Sequence, residues 1–340
     1  MNKGPLLAEK DRILIWDGWR GMAILMVLCG HFFDIKWLWE DRMGVDVFFV
    51  LSGMLMSGIL FEKRMSLRDF YIRRFSRIYP AFLVFVLSMF AVGIVFAIDF
   101  KWSELIASLF FLRTYLPADP GIWSSGLPTG HLWSLNVEEH AYLFLSAVTL
   151  FLVDRKYIAV ALLLVALGTV VLSFYYYFSL AEPEFKLYLI RTESAVVFIL
   201  FSAGYGLLTR KYNVELPSIV PFVCLLLALV CYANAAPDWL IFTACPVLLG
   251  VTVNHLKNLP ALVSRLLTNP VIRYFGLWSY SIYLWQQFFY EYSWRIPGGK
   301  LVALALAILI GVASYYLLEQ PARRWINTRW SSNASYKSGN

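Results

Sequence analysis

The chain has 340 residues, of which 60% are apolar, 17% aromatic and 15% charged, with a formal net charge of +7. A soluble domain carries about a quarter charged residues, and a globule of this size could not hide so much apolar surface. The composition excludes a cytosolic enzyme, a disordered chain and a nucleic-acid module, and implies a polytopic membrane protein bathed in lipid.

A membrane-crossing helix needs about 20 mostly apolar residues. Punctuation by charge clusters, Pro and Gly yields ten such runs, near residues 13–33, 44–61, 78–98, 132–153, 157–179, 192–209, 217–236, 238–255, 271–290 and 300–318. The apolar stretch Leu105–Leu116 is too short to cross and reads as an interfacial or re-entrant piece. Alternate loops hold 20 of the 29 Lys and Arg residues, the other loops hold 8, and Arg20 lies within a span. This asymmetry places both termini in the cytoplasm. The expected fold is therefore all-α, a bundle of about ten transmembrane helices. A tail over residues 1–12 precedes the membrane domain of 13–324, and a second tail covers 325–340. No cleavable signal peptide is expected, because the first span is long and interrupted by Arg20. The four cysteines lie in apolar runs without Cys-x-x-Cys spacing, which argues against a disulfide framework or a structural zinc.

Charges inside a span are costly unless they face a wet or paired interior, so each is a candidate functional group. Arg20 and His31 stand eleven residues apart on the first span. That spacing puts them on one face, ~16 Å apart along the axis. The second span opens Gly44-Val-Asp46, and Asp46 is placed at a depth similar to His31, where a carboxylate could orient an imidazole. The basic turn that follows contains Arg73, Arg74 and Arg77, interleaved with aromatics. Such a cluster suits either anionic lipid headgroups or a phosphorylated cofactor, since guanidinium forks match phosphate oxygens. The fourth span begins His131-Leu-Trp133-Ser134 and continues to Glu138-Glu139-His140. The two carboxylates either sit at a solvated helix start or point at neighbouring helices. No ligand spacing there identifies a metal, and none is expected. The ninth span carries Ser279, Tyr280, Ser281, Tyr283, Gln286 and Gln287, which suit either a polar pocket or hydrogen bonds between helices.

Taken in order, these motifs resemble the acyltransferase 3 family. The match comprises Arg20–ten residues–His31, Gly44-Val-Asp46-x-Phe-Phe-x-Leu-Ser52-Gly53, and Arg73-Arg74-x-x-Arg77-Ile-x-Pro80. It continues through His131-x-Trp133-Ser134-Leu-x-x-Glu138-Glu139, Ser279-Tyr280-x-Ile-Tyr283-Leu and Glu319-x-Pro321. It extends from about Trp16 to Arg324. One departure is His140, where the family often has Gln or another polar residue. The resemblance implies an integral membrane O-acyltransferase of the bacterial plasma (inner) membrane. Such an enzyme moves an acyl group, most often acetyl, from cytoplasmic acetyl-CoA to a hydroxyl of a polysaccharide or lipid-linked oligosaccharide. Carried over residue by residue, it makes His31 the base or acyl carrier, with Asp46, Glu138 and Glu139 beside it in the catalytic set. Arg20, Arg73, Arg74 and Arg77 would bind the donor, and His131, Trp133, Ser134 and Tyr283 the acceptor. Membrane lipid and a saccharide acceptor are the implied partners, nucleic acid is not, and a homo-oligomer stays open. A transporter of a small molecule, an acyltransferase for a small hydroxylated metabolite and a non-catalytic scaffold remain alternatives at this point.

Overall fold

The computed structural model describes residues 9–33, 37–119, 121–179, 186–255 and 260–330. The tails expected over 1–12 and 325–340 therefore lie partly outside the described residues, as do the loop charges Lys3, Lys36, Lys257 and Lys337. The elements in chain order are α1 (Glu9–Phe32), α2 (Glu40–Ser57, extended by a wide π-type turn, Gly58–Glu62), α3 (Leu67–Val95), α4 (Trp102–Leu109), α5 (Trp133–Phe151) and α6 (Arg155–Ser179). There follow α7 (Leu187–Ile190), α8 (Thr192–Ala195), α9 (Val197–Lys211), α10 (Ile219–Cys231), α11 (Trp239–Asn254) and α12 (Ala261–Leu267). The chain continues with α13 (Pro270–Glu291), α14 (Gly299–Ser314, extended by a second wide turn, Tyr315–Glu319) and α15 (Gln320–Trp330).

Every one of the ten predicted runs coincides with helix. Five stretches among the described residues are both long and apolar enough to cross a membrane: Glu40–Glu62, Leu67–Val95, Arg155–Ser179, Thr192–Lys211 and Gly299–Trp330. The apolar helices α10 and α11 are shorter, with 13 and 16 residues. Together these make the chain an integral membrane protein. The exposed side of α6 carries Val160, Leu164, Leu167, Val171 and Tyr175, an apolar face suited to hydrocarbon. The short piece predicted around 105–116 contains an eight-residue helix, α4, which spans only ~12 Å and does not cross. It turns Glu104 inward to the buried guanidinium of Arg113, 2.8 Å away, and leaves Trp102, Ile106 and Phe110 exposed.

The chain divides into two compact units. The first comprises residues 1–58, 150–183 and 193–279. Its helix ends alternate. At one end, Arg210 donates to Ser57 Oγ (2.9 Å) and lies 3.5 Å from Asn254 Oδ1, while Lys211 pairs with Asp154 at 3.0 Å. The Lys156 backbone N–H and the Lys211 ammonium hold the Asp154 carboxyl below its usual range. At the other end, Trp39 N donates to Tyr232 O (2.9 Å) and Leu38 bridges Ala233. Glycine lets α1 and α2 run in close antiparallel contact. A Cβ on Gly44 would stand 2.6 Å from the Ala23 carbonyl oxygen, a distance no side chain tolerates without a backbone shift.

The second unit comprises residues 59–149, 184–192 and 280–340. Its core is one face of α3, where Ile78, Phe82, Phe85, Val86, Met89 and Phe90 recur at helical spacing against Leu127, Leu132, Leu135 and Leu284. α3 starts eleven residues before the predicted span, so the basic cluster is part of the helix. Ser66 caps it, accepting from Asp69 N at 3.1 Å.

Candidate active site

In the first unit, His31 lies in the last turn of α1 and Arg20 lies three helical turns earlier on the same face. Both are half-buried, with side chains 19% and 18% exposed. Each faces a carboxylate that sequence reasoning passed over. Asp17 lies 4.0 Å from Arg20, and Asp41 Oδ2 lies 3.6 Å from His31 Nε2.

The expected pairing of Asp46 with His31 is not what the structure shows. Asp46 is fully buried, and its Oδ2 accepts hydrogen bonds from Arg42 Nε (2.9 Å) and the Tyr232 hydroxyl (2.6 Å). The reason is register. Gly30 packs on Asp41, and Gly44 packs on Ala23 and Val27, so the first turn of α2 is level with the last turn of α1. Asp46, five residues on from Asp41, is then ~7.5 Å farther down α2. Arg42, counted among the loop charges, is a buried member of the same helix, 5% exposed.

In the second unit, α5 runs antiparallel to α3 and brings Glu138 and Glu139 to the basic cluster. Arg74 Nη2 donates to Glu138 Oε2 at 2.6 Å, its Nε donates to Glu139 Oε1 at 2.9 Å, and its guanidinium lies over the Tyr142 ring, 4.0 Å from the centroid. Arg74 Nε and Nη2 are thereby engaged by the protein's own carboxylates. Arg73, one residue away, points ~100° round the helix from Arg74. Arg77 acts electrostatically on Glu319, whose buried Oε2 accepts from Ser281 Oγ at 2.8 Å.

The acceptor residues expected from the sequence cluster around one carbonyl. The Tyr283 hydroxyl donates to His131 O (2.9 Å) and is 2.7 Å from Ser134 Oγ. The His131 ring is 2% exposed and meets Phe85 and Tyr283 edge-on, with centroids 5.4 and 5.2 Å away. Trp133 is 6% exposed. The hydroxyls of Ser134 and Tyr283 thus join α5 to α13. Tyr280 extends the same role by donating to Ile78 O at 2.8 Å. His140, the departure from the family pattern, places Nδ1 2.8 Å from Thr192 Oγ1. Of the groups that were missed, Asp17 was legible from its i, i+3 spacing to Arg20. Asp41 and Tyr232 needed the register of packed helices.

Comparison with known proteins agrees with this architecture. The Acyl_transf_3 family model, an acyltransferase domain, matches residues 13–319. The chain is 24% identical over 343 residues to the Staphylococcus aureus (strain COL) protein named "Putative O-acetyltransferase SACOL0978", covering 91% of this chain and 57% of that protein. It is 26% identical to the peptidoglycan O-acetyltransferase OatA of Listeria monocytogenes serovar 1/2a, covering 91% and 55%. It is 27% identical to "Putative peptidoglycan O-acetyltransferase YrhL" of Bacillus subtilis strain 168, covering 90% and 54%. The chain spans a little over half the length of these relatives. No solved structure matches it. With the family model covering most of its length and the ordered motifs embedded in packed membrane helices, the chain belongs to the acyltransferase 3 family.

Proposed function

We propose that the protein is a plasma-membrane O-acetyltransferase that moves an acetyl group from cytoplasmic acetyl-CoA to a hydroxyl of an envelope saccharide. The observation that carries this reading is the half-buried stripe of Arg20 and His31 on α1, with Arg20 at mid-helix and His31 in the last turn. A guanidinium partway along that stripe suits an anionic donor approaching from one side, and an imidazole beyond it suits proton transfer at the reacting carbonyl. The loop-charge asymmetry supports a cytoplasmic N-terminal end of α1, on the side where coenzyme A is confined. Arg73 and Arg77 take the phosphate-binding role, and Arg74 shapes the helix pair that presents them.

In the direct route, His31 takes the proton of the acceptor hydroxyl as its oxygen bonds to the thioester carbonyl carbon. The C–S bond then breaks, and the coenzyme A sulfur leaves with that proton. In the relay route, an imidazole nitrogen bonds to the carbonyl carbon, the C–S bond breaks and coenzyme A leaves as the thiolate; the acceptor oxygen then bonds to the acyl carbon, the C–N bond breaks to restore the neutral ring, and the hydroxyl proton passes to the thiolate. The relatives named as peptidoglycan O-acetyltransferases support a saccharide hydroxyl as the acceptor.

Mass spectrometry of envelope saccharides from cells with and without the gene tests the reading. An acetyl increment that appears only with the gene and is removed by mild alkali is the expected result. Identical spectra, with the protein present in the membrane and turning over acetyl-CoA, would reassign the acceptor to a small hydroxylated metabolite.

A further inference from the structure

We propose that Asp41 is the positioning residue for His31: the carboxylate at the start of α2 holds the imidazole at the end of α1 in its working orientation. This rests on the reading of His31 as the reacting base or acyl carrier. It adds a residue outside the Gly44-Val-Asp46 motif and withdraws that role from Asp46.

Three observations carry it. The first is contact, since Asp41 Oδ2 stands 3.6 Å from His31 Nε2 with both side chains partly shielded, at 32% and 19% exposure. That is just beyond hydrogen-bond length, the looseness expected of a catalytic pair without substrate. The second is that the position of Asp41 is fixed from two sides. Toward α1, Gly30 removes the atom that would push it away, because a Cβ there would lie 2.6 Å from Asp41 Cβ and 2.8 Å from its backbone nitrogen. Behind it, the start of α2 is tied to the segment after α10 by Trp39 N to Tyr232 O (2.9 Å) and Asn234 N to Trp37 O (3.1 Å). The third is that the other carboxylate of this stretch with a motif role, Asp46, has its Oδ2 taken by Arg42 and Tyr232. The helix ends act in the same sense. The C-terminus of α1 favours a cation and the N-terminus of α2 favours an anion, which suits an imidazolium facing a carboxylate.

The chemistry balances as in the direct and relay routes above. Asp41 moves no proton in either route. On closing to hydrogen-bond length it accepts from Nε2–H, which fixes the tautomer and the ring plane, and it faces the positive charge the ring gains during transfer.

The test uses membranes of the source organism lacking its own copy of the gene and carrying each variant of the full chain. Radiolabelled acetyl-CoA is the probe, and alkali-labile label in membrane material is the readout. Asp41→Asn is expected to lower the saturating rate ~100-fold while the apparent KM for acetyl-CoA stays within about twofold. Asp41→Glu is expected to recover most of the rate, because the carboxylate is retained. In a His31→Ala background, Asp41→Asn is expected to cause no further loss, because its partner is gone. An unchanged rate in Asp41→Asn overturns the proposal. So does an equal loss in Asp41→Asn and Asp41→Glu accompanied by weaker donor binding or less protein in the membrane, which would make Asp41 a helix-start residue. If Asp41→Asn does not accumulate, Asp41→Glu and Asp41→Ser decide by the same comparison of rate against KM. A fully active His31→Ala enzyme would instead sink the underlying reading, and that variant reports it separately.

Discussion

Arg74→Ala is expected to destabilise the second unit by about 3–5 kcal/mol, because it strips the compensating charge from two adjacent, partly buried carboxylates at once. Glu138 and Glu139 are only 14% and 19% exposed, and both bond to the one guanidinium. Without it, two like charges face each other in a medium that solvates them poorly. Loss of the contact over the Tyr142 ring adds to the cost. Arg74→Lys is expected to recover only part of the stability, since an ammonium cannot present two fixed N–H donors to two carboxylates. Arg74→Ala combined with Glu138→Gln and Glu139→Gln is expected to recover most of it. Thermal unfolding of the detergent-solubilised variants measures this directly. A phosphate clamp predicts the opposite pattern, in which Arg74→Ala unfolds like the wild type and only the KM for the donor rises.

Asp46→Asn is expected to cost a similar ~3–5 kcal/mol in the first unit, because the buried Arg42 guanidinium then loses the carboxylate it contacts at 2.9 Å. Tyr232→Phe, which removes one neutral donor, is expected to cost ~1–3 kcal/mol. The double replacement Arg42→Met with Asp46→Leu is expected to be close to neutral, since both charges leave together. The same unfolding assay reads all three variants. A double variant no more stable than Asp46→Asn would mean that the ion pair is not what the Asp46 carboxylate stabilises.

Much of the fold was legible because lipid imposes a simple rule. Runs of about 20 apolar residues become helices, and each of the ten predicted runs contains helix. The ends were less legible where charge and helix overlap. α3 begins at Leu67 because Ser66 caps it and the arginines sit on an amphipathic first stretch, while a span read from hydropathy alone begins after them. The candidate site was legible residue by residue but not pair by pair. His31, Arg20, Arg74 and the Glu138–Glu139 doublet all stood out as polar groups in apolar sequence. Their partners did not. Arg74 and Glu138 are 64 residues apart, and Asp46 and Tyr232 are 186 apart. The substitution of Asp41 for Asp46 as the carboxylate beside His31 follows from where Gly30 and Gly44 let α2 settle on α1. A depth estimate that treats each span separately cannot contain that register. The hydroxyls of Tyr280 and Tyr283 left two readings open in the sequence, and the structure gives both of them carbonyl partners on neighbouring elements.

In the proposed reaction the imidazole of His31 carries the acyl-transfer step. Label transfer from acetyl-CoA into alkali-labile ester, assayed with membranes carrying wild-type or His31→Ala protein at matched abundance, tests it most directly. At least a ~1,000-fold loss is expected in His31→Ala, with donor affinity retained. A His31→Ala protein that transfers acetyl groups at the wild-type rate would contradict it.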